Sequence, residues 1–209
     1  EDQKMHDEAF PLIMECKGAS IAMLNVTYGT NAGIGKEWPK IMKLSEKEAM
    51  TEALAKAGTC DFVRILPHWG EEYILKHSAS QESYARWLVK QGADAIIGAH
   101  PHVIQDIQEI DGTPVFYSIG NAVSNMSAAN TQMELMVTLK IVRYHNGNIN
   151  LLKPEYELLW CSRPGGFCDR YTVLPVDEFL GSRDQWYGPW EYDKMIETRK
   201  RIKNLLDNE

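Results

Sequence analysis

The sequence predicts an α/β fold with mixed sheets and flanking helices, and three observations carry that prediction. Short apolar runs at residues 20–26, 62–66 and 95–97 alternate with helix-forming segments. The order strand–helix–strand–helix–strand is that of a parallel α/β unit. Histidines follow two of these runs directly, where open α/β sheets gather their ligands. Beyond His102 the pattern turns to β-hairpins, so the parallel unit is joined to antiparallel strands.

Taken in order, residues 1–15 are polar and irregular, and residues 20–26 read as the first strand. That strand runs into Thr27-Tyr28-Gly29-Thr30-Asn31, a turn-rich loop that reads equally as a plain connection or as one whose hydroxyls and amide reach a site at the strand end. Ser45 with Glu48 three residues later is a capping-box pattern, so a helix is expected through Lys56 and closed by Gly58. Phe62-Val63-Arg64-Ile65-Leu66-Pro67 is the next strand and ends in His68-Trp69-Gly70. Residues 80–92 repeat the helix pattern, with Tyr84, Trp87 and Leu88 as a core-facing stripe.

The organising stretch is Ala93 to His102. Ala95-Ile96-Ile97 suits a fully buried strand, and Gly98 ends it. Pro101 favours an extended conformation at His100, so His100 and His102 are expected to project to one side. Parallel pairing of the two strands brings His68, His100 and His102 to one edge, and three neutral imidazoles there suit a transition metal. The alternative, that histidines satisfy ordinary structural hydrogen bonds, is the reading for His6, His77 and His145.

Downstream, residues 103–110 and 113–118 form a hairpin about Asp111-Gly112, ending at Ile119-Gly120-Asn121. A long strand through Met133, Leu135, Val137, Leu139 and Ile141 returns at Asn146-Gly147 into residues 149–160. Pro189 opens a terminal helix reaching Leu206. The expected division is one domain over residues 1–175 with a helical extension, 176–209, packed on it.

At 209 residues, 44% hydrophobic, the chain is long enough for one domain with a substantial core. Its formal charge of −7 and the lack of any basic stripe exclude a general nucleic-acid binder. No Cys-x-x-Cys pair marks a structural zinc site, whereas Cys161 and Cys168 bracket a turn-rich loop that a disulfide would close.

Several of these segments together resemble the poly-γ-glutamate capsule biosynthesis proteins of the CapA/PgsA type, a branch of the calcineurin-like metallophosphoesterases. They are His68-Trp69-Gly70-Glu71-Glu72-Tyr73, the run from Gly92 through Gly98-Ala99-His100-Pro101-His102 to Gln105, and Phe116-Tyr117-Ser118-Ile119-Gly120-Asn121. Thr27-Tyr28-Gly29-Thr30-Asn31 also resembles a family loop, and the likeness extends from about Phe10 to roughly Pro175. It implies a metallophosphoesterase-like α-β-β-α layering and a centre of two divalent transition metals, with manganese, iron and zinc undistinguished.

By the same resemblance, His68 and His100 are expected to ligate one metal and His102 the other. His102, His100 and Asn121 are the expected catalytic group, and Asn31, Tyr28 and Glu71 the substrate-facing one. The family's upstream Asp and Asn-His motifs are absent from the first sixty residues, so the chain resembles the C-terminal portion of the domain. A missing N-terminal segment is then an expected partner, together with an anionic polymer or phosphoester substrate and other capsule-synthesis proteins. The implied location is extracytoplasmic, with membrane anchoring through a segment outside this chain. A non-catalytic assembly or polymer-binding subunit retaining the fold is the alternative.

Overall fold

The computed structural model describes residues 4, 9–30 and 40–207. Its larger sheet has six strands, β1 (Leu12–Cys16), β2 (Ala19–Thr27), β3 (Phe62–His68), β4 (Ala95–Ile97), β5 (Ile107–Ile110) and β6 (Thr113–Phe116). They are ordered β1-β2-β3-β4-β6-β5. The four central strands are parallel, and antiparallel partners, β1 on β2 and β5 on β6, close the two edges. The mixed α/β class is therefore the one the sequence predicts. β1 was not: it forms a hairpin with β2 through Lys17 and Gly18, which take φ of +50° and +80° in a tight turn.

Helices α1 (Lys47–Ala57) and α2 (Ala79–Lys90) cover one face of this sheet. The alternation along each strand decides which side chains they meet: Leu24, Ile65, Ile96 and Val115 enter the helix-facing cluster with Met50, Leu54 and Leu88. Each fully buried Leu or Ile contributes about 1.5–3 kcal/mol of transfer free energy. The opposite face presents Ile97, Ile107 and Phe116 to a second cluster.

The two helices start differently. Ser78 caps α2 in a full capping box, its side chain accepting from Gln81 N while the Gln81 side chain accepts from Ser78 N. At α1 the capping box expected from Ser45 and Glu48 does not form. Glu46 is the N-cap, without a side-chain cap bond, and its carboxylate accepts instead from Lys43 N at 2.9 Å.

The long hairpin expected after residue 130 is divided. β7 (Met133–Thr138) and β10 (Glu155–Ser162) pair in one sheet, with β11 (Thr172–Pro175) on the far side of β10. β8 (Ile141–Arg143) and β9 (Ile149–Leu151) make a separate ladder. The return strand breaks at Pro154, which has no N–H to give a continuous ladder. The terminal helix α3 (Pro189–Leu206) places Tyr192, Met195 and Ile202 in the second cluster with Met133, Leu135 and Trp160. Glu191 of α3, fully buried, accepts hydrogen bonds from Gln132 Nε2, Ser162 Oγ and Arg163 N. All four cysteines are free thiols, so the loop between Cys161 and Cys168 is closed by Gly165 N donating to Cys168 O, not by a disulfide.

Candidate metal centre

The carboxyl ends of four parallel strands meet along one edge, and each contributes one part of the site. Tyr28 follows β2, His68 is the last residue of β3, His100 and His102 follow β4, and Asn121 lies beyond β6. Backbone bonds continue past the strands and fix these ends together: Tyr28 N donates to His68 O (2.9 Å), Trp69 N to Ala99 O (3.0 Å) and Ile119 N to Gly98 O (3.1 Å). The chain order in the sheet thus becomes the spatial order of the functional side chains.

The floor is held by a buried aromatic pair. Trp69, 1% exposed, donates its indole N–H to Tyr117 O at 2.8 Å and stacks on the Tyr117 ring at 5.9 Å. Gly98 makes that approach possible, because a Cβ there would sit 2.1 Å from Tyr117 O and 2.5 Å from Trp69 Nε1. The His77 ring also stacks on Tyr117, with ring centroids 3.8 Å apart, and His77 is itself bonded to Asp106. His77 is structural, as its sequence context indicates.

The His100-Pro101-His102 segment is not extended. His100 has φ +102° and His102 φ +59°, both in the left-handed region that side chains seldom occupy. The turn follows from its anchors: Tyr73 N donates to Pro101 O (2.8 Å), and Asn121 Nδ2 donates to His102 O (3.1 Å). Both rings still face one cavity, through a strained bend rather than through strand alternation. Such strain gathers at functional sites, where surrounding contacts over-determine the backbone.

Within this edge the His100 ring lies 4.7 Å from that of His68, 5.9 Å from that of His102 and 4.5 Å from that of Tyr28. One atom each from Glu72, His100 and His102 falls within a mutual separation of 4.8 Å, the one such group able to hold a metal among the described residues. His102 Nε2 is 3.8 Å from Glu72 Oε1. His68 stands beside this group, not in it. Asn121 Oδ1 is 3.0 Å from His102 Nδ1. His68, Glu72, His100 and His102 open on a cavity of about 1000 Å³, lined also by Tyr28, Lys40 and Asn25, with Asn121 behind His102 and outside the lining.

Glu72 was passed over in the sequence, where Glu71 had been singled out. Glu71 is exposed and is not among the cavity-lining residues. The choice between adjacent carboxylates is made by the loop, which turns at Gly70 (φ +88°) and Tyr73 (φ +66°), and neither angle is legible from residue spacing. Asn31 lies outside the described residues.

The donor set fits a divalent metal. Burial pushes the His68 imidazole below its ordinary pKa, aided by the neighbouring His102. Burial and then His68 do the same at His100, against an opposing pull from Glu72. The shift favours the neutral ring at both, which at His100, the member of the donor set, is the form that ligates. Two imidazoles and one carboxylate with room beside them are an arrangement common to several first-row metals, so the donors do not select among them.

Residues 2–126 match the profile of the family described as "Bacterial capsule synthesis protein PGA_cap". The chain is 35% identical over 127 residues to the capsule biosynthesis protein CapA of Bacillus anthracis, a stretch covering 57% of this chain and 31% of that protein. It is 30% identical over 137 residues to the PGA biosynthesis protein CapA of Bacillus subtilis (strain 168), covering 64% of this chain and 36% of that one. The matched stretch thus spans roughly a third of the length of these relatives. The family match ends at residue 126, short of the extent expected from the sequence, and includes every side chain of the edge just described.

Proposed function

The chain belongs to the bacterial capsule synthesis protein family, and on that basis we propose that its strand-end cavity is a metal-dependent hydrolase site serving poly-γ-glutamate capsule biosynthesis. One observation carries the reading: His100, His102 and Glu72 offer three ligand atoms within 4.8 Å of one another at the mouth of the cavity. A divalent cation held by those donors supplies Lewis-acid polarisation of a phosphoryl or acyl oxygen.

The chain's own residues supply the rest. His68, kept neutral by burial, is placed to take a proton from an attacking water or return one to a leaving group. Tyr28, 52% exposed, packs its ring on His100 and gives the cavity an aromatic wall against which substrate lies. The substrate proposed for this cavity is anionic, either a phosphoester or the polyanionic polymer itself, as the family's capsule role suggests.

A second reading, a polymer-binding or assembly subunit without catalysis, is favoured by the ligand count. Two metals about 4 Å apart need bridging and flanking carboxylates, and among the described residues only Glu72 joins the histidines. Under the hydrolase reading, further carboxylates would come from outside the described residues, whether from the same protein or from another capsule-synthesis protein. A role in capsule synthesis supports a site of work at the cell surface, outside the cytoplasm in this reading. Among the described residues no helix is long and apolar enough to cross a membrane.

The deciding experiment offers an aryl phosphate and poly-γ-glutamate to the manganese- or zinc-loaded chain beside His100→Ala. Turnover by the wild type that disappears in the variant supports the hydrolase. Metal binding and polymer retention without turnover support the binding subunit.

A further inference from the structure

Three of the bonds made by the Asn121 side chain, which also has a long Nδ2 contact to Met126 Sδ at 3.8 Å, together determine the state of one histidine. Its Nδ2 donates to His102 O and to Thr131 O, each at 3.1 Å. Both N–H groups of the amide are therefore committed to carbonyl oxygens, and the opposite orientation would set Oδ1 against two acceptors. Oδ1 must then be the atom that faces His102 Nδ1, at 3.0 Å. An amide oxygen only accepts, so Nδ1 must carry the proton.

We infer that Asn121 is a positioning residue for His102, holding its ring in the Nδ1–H tautomer and its backbone in the left-handed bend, so that Nε2 presents a free lone pair beside Glu72. Nε2 is the ring nitrogen that lies 3.8 Å from Glu72 Oε1, on the cavity side. The free imidazole ordinarily prefers the proton on Nε2, which would occupy that lone pair. One amide thus sets both ring orientation and proton position, as hydrogen bonds behind a metal-ligating histidine commonly do. Thr131 ties the loop together: its single hydroxyl proton lies between Ala128 O (2.8 Å) and Met126 O (3.0 Å), in the loop whose carbonyl orients Asn121. The tautomer follows from these bonds alone, and only its consequence for metal affinity rests on the metal-site reading.

Two-bond proton–nitrogen NMR correlations of the His102 ring, recorded without metal at a pH where the ring is neutral, test this directly. The wild type should show Nδ1–H. Asn121→Ala should move the ring toward Nε2–H and weaken Zn²⁺ binding, measured by calorimetry, by about 10- to 100-fold. Asn121→Asp keeps an acceptor at Nδ1 and loses both backbone anchors, so it should restore the tautomer and recover affinity above that of Asn121→Ala. An Nε2–H ring in the wild type, or a tautomer unchanged in Asn121→Ala, overturns the inference. If Asn121→Ala does not fold, the wild-type spectrum alone decides. The expected tautomer shift in Asn121→Ala, found beside a wild type that binds no Zn²⁺, would sink the metal-site reading and leave the positioning role standing.

Discussion

Burial favours the neutral imidazole at His100, a member of the ligand group, and at His68 beside it. The same burial makes stability depend on pH. Each folded ring has a pKa below its ordinary value, so the unfolded chain binds the proton more tightly. Their favourable contribution is complete above the ordinary histidine pKa and is lost as pH falls through that value toward the folded one. Denaturant midpoints should therefore be lower at pH 5.5 than at 7.5, with a smaller difference in His68→Gln/His100→Gln; an unchanged difference would place its origin elsewhere. A second residue-scale prediction separates neighbours. Glu72→Gln should weaken Zn²⁺ binding at least about tenfold, the scale reached by losing an outer hydrogen bond alone, while Glu71→Gln should bind as the wild type does. Calorimetric titration of both variants checks it. The three histidines were legible because each follows an apolar run by one to five residues. Glu72 was not, because its direction depends on two left-handed backbone angles.

Elements were legible where pattern and cap agreed. The strand, helix and strand from residue 62 to 97 form as the sequence predicts, with α2 closing a parallel crossover. Ser78→Ala should cost about 1 kcal/mol by removing a working cap, and Ser45→Ala close to nothing, because Ser45 caps no helix. Urea unfolding of the two variants distinguishes them. Gly98 has a stricter role, since a methyl group there meets Tyr117 O and the Trp69 indole at once. Gly98→Ala should lose about 1–3 kcal/mol, and the same measurement should show it. Elsewhere the pattern misled for a physical reason: the alternation from Met133 to Ile141 reads as one strand, yet Pro154 on its return partner divides the ladder. β1 escaped notice because all five of its residues are exposed, so no buried face marks its sequence.

At the scale of the whole molecule, two hydrophobic clusters on opposite faces of one sheet hold the strand ends in register. That rigidity lets a strained His-Pro-His bend keep its geometry. The fold class was legible because the parallel unit and the hairpins differ in period. The site was legible as a place, the carboxyl edge of the sheet, but not as a full ligand set, because its carboxylate comes from a loop. The most direct test is elemental analysis of the purified chain after equilibration with Zn²⁺, beside His102→Ala. About one equivalent of metal, lost in the variant, is the expected result for a set built from His100, His102 and Glu72. A wild type that retains no metal, or a variant that retains as much, would contradict the account.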